Sequence, residues 1–303
     1  MISPRNGVAV NVESPTEQRN PRTVDIDRVA TLDVLRMIND EDSTVPAAVA
    51  AALPEVARAV DLAVGALRSG GRVHYVGAGT SGRLATLDAA ELVPTFNTPP
   101  DWFIAHHAGG TEALVRAMED VEDHSGAAQI RRAVKSSDIV VGITASGRTP
   151  FVIGALQEAN AIGAHTVLIS NNAHVPMEPD VLVVLDTGPE AIAGSTRMKA
   201  GSSQKLVLTA FSTAVMVMLG RTYSNLMVSM RATNAKLRGR TVRILAEATG
   251  LEEQECVAAL AEASGDLKVA LVHLLSGVPT ARAAEALTSA NGHVRNALGA
   301  LAG

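Results

Sequence analysis

The chain has 303 residues, 47% of them hydrophobic, with a formal net charge of −5 and only 2% aromatic side chains. That apolar content supports a large buried core and more than one folding unit, while the scarcity of stacking platforms and of positive charge excludes nucleic acid as an expected partner. The single cysteine, Cys256, allows no internal disulfide and no paired thiols for a metal, which fits a reducing compartment and a role as a small hydrophobe.

Residues 1–24, MISPRNGVAVNVESPTEQRNPRTV, are polar, contain prolines and have no apolar h-region, so they read as a flexible arm without an export signal. Residues 25–62 carry apolar positions at helical spacing with a break near Asp42 to Val45, predicting N-terminal helices. Over 63–226 short β-branched runs alternate with helical stretches. The runs are RVHYVGAG, DWFIAHHAGG, DIVVGITASG, GAHTVLISNN and DVLVVLDTG. This predicts an α/β unit with a parallel five-stranded sheet sandwiched by helices, whose ligands bind outside the carboxyl ends of the strands. A long helix from Lys199 to Gly220 closes the unit, and its apolar segment is too short and too interrupted to span a membrane. A soluble, cytoplasmic protein is expected. Residues 227–303 read as short helices broken at Gly250, Gly265, Gly277 and Gly292, a small bundle resembling a ubiquitin-associated three-helix unit. Its expected role is packing or support of a dimer.

VGAGTSGR, from Val76 to Arg83, matches the GxGxxG spacing of a dinucleotide site. Such a site also needs an acidic residue at the end of the second strand, where this chain has His106 and His107. The fingerprint is incomplete. Gly79, Thr80 and Ser81 instead offer hydroxyls beside the amides of a helix start, which favour an anion. A second turn of the same character, TASGRTP, supplies Ser146, Gly147, Arg148 and Thr149, and a third patch, GSTRMKAGSSQK, supplies Ser195, Thr196, Arg197 and Lys199. Each turn alone could be an ordinary strand-to-helix connection; two at neighbouring strand ends point to one compact phosphate-bearing molecule.

INDEDSTVP, YVGAGTSGRLATLDAAEL, VVGITASGRTPFVIGAL and GSTRMKAGSSQKLVLTAFSTAVM together resemble the N-acetylmuramic acid 6-phosphate etherase family of the sugar isomerase (SIS) superfamily, related to glucokinase regulatory proteins. The likeness runs from Asp25 through the C-terminal bundle. It implies cleavage of the lactyl ether of a sugar phosphate in cell-wall sugar recovery: in the open-chain sugar the aldehyde acidifies the C2 proton, lactate leaves C3 by β-elimination, and water adds back. This route needs a base and an acid, each contributing roughly 10²- to 10⁴-fold, and no cofactor or metal.

Two carboxylates suit it. Glu91 follows Leu84 by seven residues and Leu87 by four, and Glu122 follows Val115 by seven and Met118 by four, so helical geometry predicts that both face inward. A carboxyl out of water without a cation favours its protonated form, as a general acid requires. On the residues alone, an inward glutamate is more often a cap or ion-pair partner. The resemblance implies that Glu91, in LDAAE, is the acid at the departing lactate and Glu122, in EDVED, the second catalytic glutamate; it fixes the two residues, and which of them takes the C2 proton stays open, with Glu122 the expected base. Ala90 stands where the family often has a small polar residue. His106, His107 and His124 lack zinc-motif spacing, so a metal is not expected, although a histidine contact with substrate stays open. A sugar-phosphate isomerase or a catalytically silent regulator would share the phosphate turns; both glutamates and the unduplicated length disfavour the regulator. The resemblance also implies a homodimer with sites completed across a two-fold interface.

Overall fold

The computed structural model describes residues 14–118, 120–230 and 235–303. The five β-branched runs form the strands β1 (Val73–Gly77), β2 (Phe103–His107), β3 (Ile139–Thr144), β4 (His165–Ser170) and β5 (Val181–Val184) of one parallel sheet, ordered β2-β1-β3-β4-β5. Side chains alternate across it as the pleat requires. Val73 and Tyr75 enter a core with α2 (Val45–Arg68), α3 (Gly79–Phe96) and α7 (Lys199–Met218), while Val76, Val140 and Leu168 face α5 (Ala127–Ala133) and α6 (Pro150–Ile162). Gly142 lets α6 lie close, since a Cβ there would stand 2.6 Å from Val152 and 2.8 Å from Leu156.

α1 (Thr31–Asp42) is separated from α2 at the expected break, and α4 (Glu112–Val115) is a short turn after β2. The boundary expected between 62 and 63 falls inside α2, because Ala63, Val64, Ala66 and Leu67 are buried in the sheet's core and the helix cannot end before them. A hairpin of β6 (Thr222–Tyr223) and β7 (Leu226–Met227) leads to α8 (Ala235–Thr249), α9 (Glu253–Glu262), α10 (Leu267–Ser276), α11 (Thr280–Ser289) and α12 (Val294–Ala302). These helices share a core that includes Leu245, Cys256, Ala270, Leu271 and Ala283. Gly250, Gly265, Gly277 and Gly292 follow helix ends with positive φ, the conformation that stops a helix. No helix among the described residues is long and apolar enough to cross a membrane.

The expectation of a flexible arm is corrected for residues 14–24; residues 1–13 lie outside the described residues. Ser14, Thr16, Asn20 and Thr23 are buried against the loop before α7. Thr23 Oγ1 donates to Ala191 O at 2.7 Å, and Gly194 N–H donates to Thr16 O at 2.9 Å. Loop-to-loop pairing of this kind satisfies the backbone without any apolar period, so composition alone reads as disorder.

One charge network ties this segment down. Glu41 of α1, 2% exposed, accepts from Arg22 at 2.8 Å and from Lys199 Nζ at 2.7 Å, and Lys199 is itself 1% exposed. The N–H groups of Lys199 and Ala200, the first turn of α7, donate to Glu190 at 2.8 and 2.9 Å. The Arg22 hydrogen bond, the leading cause, holds the Glu41 carboxyl down to about 2. Its contribution to stability is therefore complete above pH 4.5 and is lost as the pH falls toward 2. Glu41→Ala, which strands a buried ammonium, is expected to cost about 3–5 kcal/mol in urea unfolding at pH 7; a loss below 1 kcal/mol would show that the pair is not a structural tie.

Candidate active site

β1 and β3 are neighbours, and the chain leaves them toward opposite sides of the sheet, which makes their carboxyl ends the topological switch point. Gly77 and Gly82 are required there by packing: a Cβ on Gly82 would lie 2.6 Å from both Gly77 O and the His107 ring. The GxGxxG spacing thus serves strand-to-helix contact. Ala78, the N-cap of α3, carries no capping side chain, and Gly79 has φ +53°, so the first turn around Gly79 and Thr80 presents its amides unsheltered by a side-chain cap.

The second turn follows β3. Thr144 Oγ1 and Thr149 Oγ1 share a 2.8 Å hydrogen bond, Arg148 N–H donates to Ser146 Oγ at 3.3 Å, and Asn172 Nδ2 donates to Ser146 O at 3.1 Å. Gly147, at φ +74°, passes so near Ser170 that a Cβ would stand 2.9 Å from its hydroxyl. α6 begins at Pro150, again without a side-chain cap. Two helix starts bearing hydroxyls therefore converge from adjacent strands, a natural seat for one phosphate.

The third patch closes on the first turn. A Cβ on Gly201 would touch the Thr80 methyl at 3.3 Å, and Ser195 and Thr196 are half-buried with Arg197 exposed. Two of the expected ligand residues turn away from this opening. Lys199 points into the protein to Glu41, and Ser81 Oγ donates to Gln204 Oε1 at 2.8 Å, 8% exposed. Gln204 Nε2 continues to Asn171 Oδ1 at 2.9 Å, and Asn171 Nδ2 to Ser203 Oγ at 3.0 Å. These polar residues, missed in the sequence, hold the turns together; the available signal was a glutamine within the buried stripe of Ala200, Val207, Leu208 and Phe211.

His106 and His107 are structural as well, while His124 is exposed beside Glu122's turn. His107 is buried, with Nδ1 2.6 Å from Ala108 O and Nε2 3.3 Å from Gly79 O. His106 turns to the other face, where its Nε2 meets His74 Nδ1 at 2.9 Å, and His74 reaches Asp138 at 3.3 Å. Burial, first among the causes, holds His74 down to about 4 and lowers His106 as well. Among the described residues no cluster of three His, Cys, Asp or Glu side chains is arranged to hold a metal ion.

The inward orientation expected for the two glutamates is not what the single chain shows. Glu91 is exposed beside Leu87, itself 50% exposed. It lies twelve residues past Gly79 on α3, about 18 Å along the axis from the first glycine turn of its own chain. The helix expected to carry Glu122 stops at Val115; Arg116 is extended, Asp120 is left-handed at φ +63°, and Glu122 sits exposed on a single 3-10 turn, Val121–Asp123. Val121 packs into the core while Val115 is 83% exposed, so the apolar spacing did not mark one helical face. That 3-10 turn packs on α6, and nearby Gly126 N–H donates to Phe151 O, which keeps Glu122 at the end of the sheet that holds the second turn.

A family model for the glucokinase regulatory protein N-terminal SIS domain matches residues 55–160. An N-acetylmuramic acid 6-phosphate etherase of Thermobifida fusca is 60% identical over 268 residues, 88% of each chain. The chain belongs to the N-acetylmuramic acid 6-phosphate etherase family. A family member from Symbiobacterium thermophilum is 51% identical over 87% of this chain and 89% of that one, and one from Pectobacterium atrosepticum is 46% identical over 97% and 99%. A phosphoheptose isomerase structure from Francisella tularensis is a distant likeness, with a TM-score of 0.49 at 22% identity over 62% of this chain and 98% of that one. The etherase relatives extend across the sheet and the C-terminal helices alike, whereas the SIS model ends within α6.

The α3 carboxylate that turns toward the core in this etherase-family chain is Asp88, half-buried on the stripe of Ala85, Leu92 and Phe96. Tyr75 Oη donates to it at 2.8 Å and Ser212 Oγ at 3.0 Å. Burial, the largest cause, lifts its carboxyl to about 6, against the pull of those two hydrogen bonds. A raised carboxyl binds its proton more tightly when folded, so its ionisation costs stability as the pH rises from about 4 to 6. Asp88→Asn is expected to flatten that span, shifting the pH dependence of unfolding free energy by about 3 kcal/mol relative to the parent between pH 4 and 7. Parallel urea curves at both pH values would contradict the burial argument if the two proteins changed equally.

Proposed function

We propose that this chain cleaves the D-lactyl ether of N-acetylmuramic acid 6-phosphate as a carbon–oxygen lyase, giving N-acetylglucosamine 6-phosphate and D-lactate in amino-sugar recycling. The observation that carries the reading is 60% identity, over 88% of each chain, with a protein of that name. The converging turns supply what its substrate needs. Gly79, Thr80, Ser146, Gly147, Arg148 and Thr149 receive the phosphate, with Ser195, Thr196 and Arg197 at the rim; Ser81 and Lys199 brace them from behind.

The chemistry follows from the open-chain sugar. Glu122 removes the C2 proton, the electron pair forms the C2–C3 double bond in conjugation with the aldehyde, and the C3–O bond breaks as Glu91 protonates the lactyl oxygen. Water then adds at C3 while C2 regains a proton, so atoms balance without oxidant, metal or cofactor. A phosphorylated sugar is retained inside the cell, which supports a cytoplasmic location for the enzyme.

We infer that the working unit is a homodimer. One face of α3 exposes Leu87, Ala90 and Glu91, and the neighbouring α7 exposes Leu206, Ala210 and Val217, an apolar surface suited to a two-fold contact. Such a contact would hand Glu91 to the partner's phosphate turn, which its own turn is too distant to use.

In H₂¹⁸O the heavy atom is expected at C3 of the sugar with lactate unlabelled, and Glu91→Gln and Glu122→Gln are each expected to lower turnover by about 10²- to 10⁴-fold. Label in lactate, or sugar phosphate bound without lactate release, would favour a regulator or isomerase instead. Co-refolding Glu91→Gln with Thr149→Val chains, each inactive alone, is expected to recover about a quarter of the parent activity, since random pairing makes half the dimers mixed, each with one intact site. No recovery would place Glu91 in its own chain's site.

A further inference from the structure

A cavity of about 1060 Å³ lies at the amino-terminal end of the strands, opposite the candidate active site, where the C-terminal helices meet the sheet unit. Arg68 and Arg221 line it from the sheet side, and Lys268 and His293 from the helical side. Among the described residues, no aspartate or glutamate lines it, and none of these four has a carboxylate within salt-bridge distance; Asp266 is the acidic group whose field reaches Lys268.

Their hydrogen bonds end on main-chain carbonyls. Arg68 donates to Met218 O at 3.0 Å, Arg221 to Asn97 O at 3.3 Å, and Lys268 Nζ to Gly220 O and Gly292 O, both at 2.8 Å. The carbonyls of Met218, Gly220 and Asn97 close the carboxyl ends of α7 and α3, while that of Gly292 lies in the turn between α11 and α12. A helix end carries about half a negative charge, so these two fall short of three full cations and a histidine. The crowding is visible in the groups themselves: burial first, then Arg221, holds Lys268 down to about 8, and burial, then Arg68 and Lys268, lowers His293. Arg221 also stands 4.8 Å over the Trp102 ring, which fixes its guanidinium at the cavity wall.

We propose that this cavity is a second binding site, for a small phosphorylated, hydroxyl-rich molecule that bridges the sheet unit to the C-terminal helices. The cations supply the counter-charge for a phosphate, and Thr288, Ser289, Asn291 and Asn296 line the rest with hydroxyls and amides fit for a polyol. The volume is at the upper end of small-molecule sites, roughly 300–1,000 Å³, and exceeds the needs of a bare ion. A ligand held by Arg68 and Arg221 on one side and Lys268 and His293 on the other would tighten the docking of the two units.

Trp102, the only tryptophan in the chain, lines the cavity and reports on it directly. Glucose 6-phosphate and inorganic phosphate, each titrated at constant ionic strength against chloride and glucose controls, are expected to change its emission saturably, with the sugar phosphate the tighter. Arg68→Ala, a surface change, and Lys268→Met are expected to weaken that binding at least tenfold with circular dichroism unchanged, while Ser146→Ala leaves it intact. Calorimetry on the same proteins covers an optically silent event. Absence of saturable binding by both methods would overturn the proposal, and so would a signal lost in Ser146→Ala but kept in Arg68→Ala, which would return the ligand to the carboxyl end of the sheet.

Discussion

The buried contact between Lys199 and Glu41 is the constraint on which the rest of the site depends. An ammonium 1% exposed is tolerable only with its carboxylate in place, and that carboxylate also receives Arg22. The pair therefore fixes three pieces of chain that share no secondary structure: the segment before α1, α1 itself and the start of α7. Glu190 closes the first amides of α7, so this helix start is already satisfied, unlike the uncapped starts of α3 and α6. The loop carrying Ser195 to Arg197 is then held where Gly201 meets Thr80.

Around that tie the protein separates structural polarity from functional polarity. Ser81, Gln204, Asn171 and Ser203 spend their hydrogen bonds on one another behind the turns, and His74, His106 and Asp138 do the same on the other face of the sheet. What is left facing outward at the carboxyl ends is a set of glycine-shaped turns with hydroxyls and helix-start amides. On α3 the same division is seen within one turn: Asp88 is half-buried against Tyr75 and Ser212, while Glu91 stands in solvent on the face that also exposes Leu87.

α7 connects the two charged ends of the molecule. Its 20 residues span about 30 Å, from the Glu190 cap near the Gly79 turn to the carbonyls that receive Arg68 and Lys268 at the far cavity. A ligand at the far end would therefore act on a rigid element that ends at the turns.

Much of this architecture was legible in the chain's local patterns. The five strands fall on the five β-branched runs, two strand-to-helix turns on the glycine and hydroxyl stretches, and the C-terminal helix ends on the four glycines, because pleat, turn and helix stop are each decided by neighbouring residues. The facing of Glu91, the breaking of the helix before Glu122, the packing of residues 14–24 and the withdrawal of Ser81 and Lys199 were not. Most of these turn on partners far along the chain: Lys199 on Glu41, Ser81 on Gln204, Thr23 on Ala191, and on α3 Asp88, which takes the inward position beside Glu91, on Ser212. Local spacing was enough to set which elements form and which residue types stand at their ends. Which polar groups are consumed by one another, and which stay open at the surface, was set by the packing of distant segments, since burial and pairing depend on contacts that no local spacing encodes.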